Sequence, residues 1–484
     1  MEKIELVFIP SFGIGHVISM VEMGNLLLSR YPNLSITFLI INKKGIPSII
    51  TSLSSDDLYH STRIRFLQVT RDEDDSLVDT RAMFNLLDLY KPIIKETVQQ
   101  EIISRSGSGR LVGFILDMFC AGMVDVAKDF NVPGYVFFVC GATFIGLMCH
   151  LQTLQDEYGQ NLVDLDGSDV ELDVPVFKNR YPAKVIPPGA TDKEGGSQNF
   201  LRLAKLLREV DGIAVNTFAE LESYAIKVLS EDDKIPPVYP VGPILKIKKE
   251  NDEKSADIIS WLDGQPLSSV IFLCFGSMGS FPDEQVKEIA YALEKAGKRF
   301  LWSLRRPLGT DKTTSWITTD YENPGQVLPE GFLERTAEIG RVIGWAPQVE
   351  VLSHEAVGGF VSHCGWNSVL ESVWCGVPTA TWPIQAEQNM NAFFMVKEVG
   401  LSVDVKMDYS QSHWKTSEED SATVPATVIE RALRQLMDEN GEECLEMRKR
   451  MKEMSHKSKK AVAVGGSSYV SIDRFMDDII NHNK

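Results

Sequence analysis

The sequence predicts an α/β protein of two doubly wound domains, each built on a parallel sheet with helices on both faces. Short apolar runs alternate with helical patterns through the first half of the chain, and the second half repeats the alternation. This alternation is typical of parallel sheets, because a crossover between parallel strands needs a helix-length connection. Residues 238–255, rich in proline and charge, separate the two halves.

The first half contains one clear helical pattern and six apolar runs that predict strands. The helix is predicted over residues 16–29. The predicted strands are Glu5–Ile9, Ser35–Ile41, Ile64–Val69, Leu111–Leu116, Tyr135–Val139 and Gly212–Val215. The second half predicts five more: Ser269–Phe275, Arg299–Leu304, Gly340–Ile343, Gly358–Ser362 and Thr379–Trp382. Stretches 155–200 and 307–328 lack a clear period and contain many Gly, Pro and Asp residues, so they are predicted to be loops.

The composition excludes several classes of function. The formal net charge of the 484 residues is −18, which disfavours nucleic acid and anionic membrane surfaces as partners. The seven cysteines occur singly, without a Cys-x-x-Cys pair, which is typical of reduced thiols in a cytoplasmic protein. The apolar run Leu6–Pro10 is too short for a secretion signal, and no run is long enough to span a membrane. We therefore expect an untargeted, soluble protein.

A turn between a buried strand and a helix is the first candidate anion site. The strand ends at Phe360-Val361, the turn is His363–Ser368, and a helix continues from Val369. Backbone N–H groups at such a turn can bind an anion, and the His363 side chain adds a further donor. The Asn367 and Ser368 side chains are expected to cap the helix. An ordinary strand–turn–helix with no ligand explains this pattern equally well.

His16 and Asp117 form the candidate catalytic pair. His16 follows a glycine-containing turn after the first strand, and Asp117 ends the fourth strand, so both lie where open α/β sheets bind ligands. An imidazole is a suitable general base near neutral pH, and a carboxylate can orient it and stabilise its charged form. The alternatives are a helix-start His without a role and an Asp that caps a helix.

Two other motifs point to different chemistry and are rejected. Gly13-Ile14-Gly15 begins like a dinucleotide fingerprint, but Ile18 occupies the third glycine position and the second strand runs into Asn42-Lys43-Lys44 without an acid. This disfavours an NAD enzyme, including an epimerase of nucleotide sugars. The acidic run Asp72–Asp75 resembles a metal-binding motif, but it fits a solvated loop better. No His or Cys spacing predicts zinc.

The 44 residues from Trp345 to Gln388 closely resemble the signature box of plant family-1 UDP-sugar glycosyltransferases. Ten residues match its spacing without an insertion: Trp345, Gln348, His363, Gly365, Trp366, Asn367, Ser368, Glu371, Glu387 and Gln388. The resemblance extends over nearly the whole chain. It includes the GxGH turn at 13–16, NTFAELE at 216–222, YPVGP at 239–243 and FGSMGS at 275–280.

The resemblance implies the GT-B fold, in which two Rossmann-like domains face each other across a cleft. It implies an acceptor-binding domain over residues 1–240, a linker over 241–255, a UDP-sugar-binding domain over 256–467, and a C-terminal helix over 468–484 that returns to the first domain. It also implies that His16 is the general base and that Asp117 orients it. The loops at 155–200 and 307–328 would border the acceptor pocket.

The resemblance also implies a UDP-sugar site formed by Ser277, Trp345, Ala346, Gln348, His363, Gly365, Trp366, Asn367, Ser368, Glu371, Glu387 and Gln388. Trp345 would stack on uracil, and Glu371 would accept hydrogen bonds from the ribose hydroxyls. His363, helix-start amides and Ser277 would neutralise the diphosphate, so that no metal is required. The Trp366 ring is expected to be a core aromatic whose backbone, not its indole, contacts the donor.

The sugar end of the site departs from the family at one position. A Thr or Ser commonly follows Phe137-Phe138, whereas this chain has Val139, and the hydroxyl of Thr143 stands four residues further along. Either the hydroxyl contact is absent or Thr143 supplies it. Glu387 and Gln388 would bind sugar hydroxyls, with both the donor and the acceptor of the Gln388 amide selecting glucose.

The function expected from these observations is an inverting, metal-independent UDP-glucose transferase. It would form β-O-glucosides on a small lipophilic acceptor, namely a flavonoid, another phenolic or a triterpenoid of plant secondary metabolism. The protein is expected to be a monomer. The alternative is a nucleotide-sugar-binding protein without catalysis, which the presence of both His16 and Asp117 disfavours.

Overall fold

Two parallel sheets, one in each half of the chain, form the framework of the protein. The computed structural model describes residues 2–41, 62–71, 83–105, 107, 109–247, 252–307, 318–411 and 423–482. In spatial order, the seven strands of the first sheet are Ile64–Val69, Leu34–Ile41, Ile4–Ile9, Arg110–Asp117, Gly134–Phe138, Gly212–Val215 and Val238–Pro240. The six strands of the second sheet are Gly340–Ile343, Arg299–Ser303, Val270–Cys274, Val357–Ser362, Thr379–Thr381 and Ser402–Asp404.

Every pairing within these two sheets is parallel, and both sheets are doubly wound. When the strands of each sheet are numbered by their order in the chain, their spatial order begins 3-2-1-4-5 in both sheets. The chain therefore reverses direction between the first and the fourth strand, and the crevice at this reversal is where open α/β sheets bind ligands. The central strands are fully buried runs of Ile, Leu, Val and Phe, as expected of strands covered on both faces.

Helices cover both faces of both sheets. In the first half the α-helices are Ile14–Arg30, Met83–Asp88, Lys91–Val98, Val124–Asp129, Ala142–Tyr158, Pro188–Thr191, Gly196–Leu207 and Ser223–Glu231. In the second half they are Glu253–Asp263, Asp283–Ala296, Phe332–Arg335, Gln348–Leu352, Trp366–Cys375, Gln388–Phe393, Ala426–Leu436, Glu442–Val462 and Ser467–Asn481. Within the described ranges, none of these helices is long and apolar enough to cross a bilayer.

Short elements complete the chain. The 3₁₀ turns are Met118–Met123, Leu162–Leu165, Ala183–Val185 and Pro324–Gln326, and π turns extend two helices at Gln99–Ile103 and Phe394–Glu398. Two small antiparallel pairs join Glu171–Leu172 to Tyr181–Pro182 and Arg305–Pro307 to Thr318–Asp320.

The predicted strands are confirmed to within one residue at each end, but several elements were missed, including short helices and strands within the stretches predicted as loops. The stretch predicted as a loop up to residue 200 contains the start of the helix Gly196–Leu207. Val238–Pro240 and Ser402–Asp404 are edge strands of only three residues, too short for a recognisable period. The N-cap expected from Asn367 and Ser368 was wrong, because Gly365 is the N-cap and makes no side-chain cap bond. Residues 42–44, 72–75, 248–251 and 308–317 lie outside the described ranges.

The last helix, Ser467–Asn481, packs against the first sheet although the chain reaches it from the second. The ring of Phe475 is fully buried, 5.2 Å from the ring of Tyr135 and 5.4 Å from that of Tyr239. The guanidinium of Arg30 pairs with Asp473 and lies 3.6 Å from the ring centroid of Tyr469. The last helix therefore packs on the first sheet, and the division of the chain into domains stays a prediction.

Truncating Phe475 should destabilise the protein strongly. Phe475→Ala removes a fully buried ring that joins two strands to the last helix, and we expect a loss of about 3–5 kcal/mol in the free energy of unfolding. Val470→Ala on the same helix is the control, because Val470 is exposed and should cost less than about 0.5 kcal/mol. Chemical denaturation of both variants measures the difference, and equal losses would contradict the docking role of this helix.

Candidate active site

His16 and Asp117 meet at the crevice of the first sheet. Nδ1 of His16 lies 2.7 Å from Oδ2 of Asp117, although the residues are 101 positions apart. His16 lies in the first turn of the helix that follows the first strand, and Asp117 is the last residue of the adjacent fourth strand. The ring of His16 is partly exposed, whereas the Asp117 side chain is fully buried.

Asp117 fills both of the roles that its position predicts. Its Oδ1 accepts a hydrogen bond of 3.0 Å from the amide of Phe119 and so caps the 3₁₀ turn that follows the strand. Its other oxygen is thereby aimed at His16. An ionised carboxylate is only an acceptor, so Nδ1 of His16 carries the proton in this pair and the lone pair of Nε2 faces away from Asp117.

The surroundings of His16 favour its charged form. Burial lowers the pKa of His16, but the adjacent Asp117 carboxylate and the nearby Glu387 carboxylate outweigh this, so the pKa lies above its ordinary value of 6.5. A base of this kind holds an acquired proton better than a free imidazole does. Glu387 belongs to the second half of the chain, so groups from both halves act on the same imidazole.

Two glycine turns of the second half enclose His363. Ser277 follows the first strand of the second sheet and His363 follows the fourth, so both lie at the crevice of that sheet. A Cβ at Gly276 would approach Nε2 of His363 to 2.7 Å, and one at Gly365 would approach it to 2.6 Å. Only glycine allows this approach. Ser277, His363 and Gln388 line one shared pocket.

This pocket contains buried polar atoms that the protein leaves unsatisfied. Among the described residues, Nδ1 of His363, which lines the pocket, and Oδ1 of Asn367 on the helix that follows are buried without a hydrogen-bond partner. Buried polar atoms are nearly always paired, so such atoms are evidence for a ligand that completes them. Burial lowers the pKa of His363 to about 4, so its ring is neutral at pH 7. The ring therefore offers a neutral hydrogen-bonding group, and its contact with a diphosphate stays a prediction.

Gln348, Ser368 and Glu371 form a second polar group beside the same turn. Nε2 of Gln348 donates to Oγ of Ser368 at 2.8 Å and to Oε2 of Glu371 at 2.6 Å. Burial raises the pKa of Glu371 to about 7. Trp345 is 42% exposed, so its ring face is free for stacking, while Ala346 beside it is buried. These residues are brought together as the sequence predicts.

Glu387 and Gln388 begin a helix at the edge of the pocket. Oε1 of Glu387 accepts from Nδ2 of Asn391 at 3.2 Å, and burial raises the pKa of Glu387. Oε1 of Gln388 accepts from the amides of Ile384 and Gln385 at 2.8 and 2.9 Å. Both lone pairs of that oxygen are thus occupied, so the expectation that Gln388 offers a ligand both a donor and an acceptor was wrong. Only its NH₂ group is available.

The hydroxyl expected near residue 139 is absent from the pocket. Val139 is buried, and the hydroxyl of Thr143 donates to Oε1 of Glu222 at 2.7 Å, so it cannot replace the missing group. The nearest polar side chain of this loop is Cys140, a buried thiol in hydrogen-bond contact with Glu387. The sequence analysis missed Cys140. It also missed Asn391, which the helical spacing of four residues from Glu387 would have indicated.

The first residues of the helix Trp366–Cys375 reach across the cleft. Nδ2 of Asn367 lies 3.5 Å from Oγ of Ser19, on the helix that carries His16. The Trp366 ring is 2% exposed, as expected for a core aromatic, and its Nε1 donates to the backbone oxygen of Asn216 at 2.7 Å. The helix that follows the predicted donor turn therefore contacts the helix that carries His16.

Two aromatic rings lie in sequence beside His16. The ring of Phe119 lies 5.3 Å from that of His16, and Phe84 lies 6.2 Å further on, in an edge arrangement. Sequence reasoning missed both, because they lie in a six-residue helix and a 3₁₀ turn that are too short to show a clear period. Within the described ranges, no group of three His, Cys, Asp or Glu residues could hold a metal ion. The acidic run 72–75 lies outside those ranges.

Known proteins match this chain over nearly its whole length. A family described as "UDP-glucoronosyl and UDP-glucosyl transferase" matches residues 232–419. The chain is 48% identical to UDP-glucose flavonoid 3-O-glucosyltransferase 6 of Fragaria ananassa, over 98% of both sequences. It is 47% identical to a UDP-glycosyltransferase of Malus domestica, over 98% of this chain and 99% of that protein.

Two solved structures share both the fold and much of the sequence. A UGT transferase from Siraitia grosvenorii in complex with UDP has a TM-score of 0.85 and 44% identity, covering 99% of this chain and 100% of that one. A UGT from Medicago truncatula complexed with UDP-glucose has a TM-score of 0.82 and 38% identity, covering 99% and 98%.

The two site histidines should titrate far apart. We expect the imidazole of His16 to titrate above pH 6.5 and that of His363 near pH 4, since carboxylates face the first and only burial acts on the second. NMR titration of the eight histidines measures this, with His16→Gln and His363→Gln for assignment. Asp117→Asn should lower the His16 midpoint, whereas Asp129→Asn, at an exposed ion pair, should not. An unchanged midpoint in Asp117→Asn would refute the coupling.

Proposed function

The chain belongs to the plant UDP-glycosyltransferases, and we propose that within this family it transfers glucose from UDP-glucose to a hydroxyl of a small lipophilic acceptor. The observation that carries this proposal is the His16–Asp117 pair, 2.7 Å apart and facing the glycine turns around His363 across the cleft. A general base and a nucleotide-sugar site in one cleft are what a direct displacement requires. A protein that only binds nucleotide sugars has no need of the pair.

We propose that His16 acts on the acceptor hydroxyl. Its Nε2 takes the proton while the acceptor oxygen attacks the anomeric carbon, and the bond from that carbon to the UDP oxygen breaks with the electron pair leaving on UDP. One displacement inverts the anomeric carbon and gives a β-glucoside. Asp117 holds the imidazole in the required tautomer and stabilises the imidazolium that forms, as a carboxylate does in a hydrolase triad.

We propose that neutral donors, without a metal ion, hold the leaving diphosphate. The N-terminus of the helix Trp366–Cys375 presents free amides and the positive end of its dipole, with His363 and Ser277 beside it. Since His363 is neutral, the positive potential comes from the dipole. In this proposal the half-exposed Trp345 stacks on uracil, and the adjacent Gln348 and Glu371 bind the ribose.

A phenolic is the acceptor class that the structure supports best. The rings of Phe119 and Phe84 extend from His16 and offer flat apolar contacts to an aromatic acceptor. The Fragaria ananassa relative is named as a flavonoid glucosyltransferase. A triterpenoid stays a second candidate, since an apolar wall also accepts a fused aliphatic ring system. The acceptor would lie in the domain of residues 1–240 and the donor in that of 256–467.

We further propose that the protein acts as a cytoplasmic monomer. All seven cysteines are free thiols, which suits a reducing compartment. The catalytic pair and the donor turns come from the same chain, so the proposed reaction needs no second copy.

Replacing His16 tests the mechanism. His16→Ala should lower kcat by about two to four orders of magnitude, the usual contribution of a general base, and leave the Kd for UDP nearly unchanged. The assay combines UDP-glucose with plant phenolics and triterpenoids, reads hexose addition by mass spectrometry, and includes EDTA in parallel samples. Near-normal turnover by His16→Ala would exclude His16 as the base.

The same assay tests the other parts of the proposal. Activity lost in EDTA and restored by manganese would indicate a metal site. If the unmodified protein released no UDP with an acceptor present, a protein that only binds nucleotide sugars would be favoured.

Glu371 should make UDP binding depend on pH. Glu371→Ala should weaken UDP binding by about 1–3 kcal/mol, the usual cost of losing a charge-assisted hydrogen bond to a buried group. Because burial raises the pKa of Glu371 to about 7, its protonated fraction grows below pH 7, and UDP affinity should fall there. Calorimetry from pH 5.5 to 8.5 measures both effects, with exposed Glu355→Ala as control. A loss of acceptor affinity alone would show that the proposed donor orientation is wrong.

The donor sugar should be glucose rather than galactose. The NH₂ group of Gln388 is held in one direction by the two amides that bind its oxygen, so it can favour one placement of a sugar hydroxyl. A site built to hydrogen-bond a sugar hydroxyl can favour the matching sugar over one that misplaces this hydroxyl by more than about tenfold. Competition between UDP-glucose and UDP-galactose measures this. Gln388→His should narrow or reverse the preference, whereas Gln388→Glu keeps the acceptor for the two amides and tests the NH₂ group alone. Equal use by the unmodified protein would exclude Gln388 as selector.

A further inference from the structure

We propose that Trp366 is a positioning residue whose indole N–H fixes the donor turn against the acceptor domain and so sets the distance between the bound sugar and His16. The docking site is the segment Asn216–Glu222, to which the mechanism assigns no part. The inference rests on the proposed function for its effect on turnover, but the docking itself is a property of the folded protein.

The indole is held on the far side of the cleft from its own domain. Trp366 is the first residue of the helix at the diphosphate turn, and its side chain is 2% exposed. Its Nε1 donates to the backbone oxygen of Asn216, 2.7 Å away and 150 residues earlier in the chain. Asn216 follows directly on the strand Gly212–Val215 of the first sheet. A buried N–H that lost this oxygen would have no water to replace it.

The side chain of Asn216 fixes the acceptor of this bond. It is fully buried, accepts from the amide of Ile244 at 2.8 Å and donates to the oxygen of Ile244 at 3.2 Å. Ile244 lies on the stretch that connects the two halves of the chain. The indole therefore binds at the point where the chain leaves the first domain, so a small displacement there changes the angle between the domains.

The edge of the six-membered indole ring lies beside Gly141, at the start of the helix Ala142–Tyr158. A Cβ at Gly141 would approach Cη2 of Trp366 to 2.8 Å and Oε1 of Glu222 also to 2.8 Å. The buried Glu222 carboxylate accepts from the amides of Ala142 and Thr143, at 2.8 Å each, and caps this helix. The indole thus packs on the loop that carries Cys140, which contacts Glu387 at the sugar end of the pocket.

The residue after Trp366 shows why this docking matters for the reaction. Asn367 lies within 3.5 Å of Ser19 on the helix that also carries His16. While the indole is docked, the distance between the diphosphate turn and the His16 imidazole stays fixed. The amides that bind the diphosphate belong to the backbone of the donor domain and do not need the indole for their own geometry.

The first test separates turnover from donor binding. Trp366→Phe keeps an aromatic ring and removes the N–H, and we expect kcat to fall about 10- to 100-fold, the effect of a misplacement near 1 Å, while the Kd for UDP stays nearly unchanged. Trp382→Phe is the matched control, since Trp382 is fully buried within the donor domain and its indole nitrogen has no hydrogen-bond partner among the described residues. Trp382→Phe should keep a normal kcat at a comparable loss of stability.

The second test uses the contact with Gly141. The backbone of Gly141 has φ −75° and ψ 159°, which alanine adopts freely, so Gly141→Ala acts only through its Cβ. We expect Gly141→Ala alone to lower kcat. In a Trp366→Phe background its further effect should be smaller, because phenylalanine lacks the outer ring atoms that the Cβ would meet. A double-mutant cycle on kcat measures this coupling.

Three outcomes would overturn the inference. The first is that Trp366→Phe loses kcat and UDP affinity to the same degree. The second is that the kcat of Trp366→Phe is no lower than that of Trp382→Phe. The third is that the effects of Trp366→Phe and Gly141→Ala on kcat are strictly additive in the double-mutant cycle. Small-angle X-ray scattering provides a readout without catalysis: Trp366→Phe should have a larger radius of gyration than Trp382→Phe. If the unmodified protein transfers no glucose, the proposed function fails, and scattering together with UDP affinity still decides on the docking.

Discussion

Two crevices, each formed where a parallel sheet reverses its winding direction, determine what this protein can do. The helices after the first and fourth strands turn to opposite faces, so the strand ends between them stay uncovered. In the first sheet this gap receives His16 and Asp117, and in the second it receives Ser277 and His363. The chemistry of the cleft follows from placing these two gaps opposite each other.

The cleft handles charge in two different ways. On the acceptor side, carboxylates outweigh burial and favour a protonated imidazole at His16. On the donor side, burial alone acts on His363 and keeps it neutral. The protein carries a net charge of −18, so a diphosphate gains nothing from the overall field. Under the proposed function its binding relies on short-range dipoles, and glycine at 276 and 365 leaves room for the His363 ring beside the backbone.

Sequence reasoning placed the central strands and the site residues, because buried parallel strands are continuous apolar runs and the glycine turns have fixed spacing. It failed where a residue's role depends on its partners in space. Gln388 was expected to offer its whole amide, but two backbone amides occupy its oxygen. Asn367 and Ser368 looked like helix caps, yet Gly365 holds that position. Thr143 could not be excluded from the sugar pocket until Glu222 was seen to bind its hydroxyl.

The return of the last helix to the first sheet has a consequence for how the protein is made. Phe475 fills a gap between Tyr135 and Tyr239, so those rings stay uncovered on the nascent chain until residue 475 has left the ribosome. The first domain therefore begins folding early in translation but completes its core only at the end. While the residues between Tyr239 and Phe475 are synthesised it exposes an apolar surface, and exposed apolar surface on a growing chain is what chaperones protect.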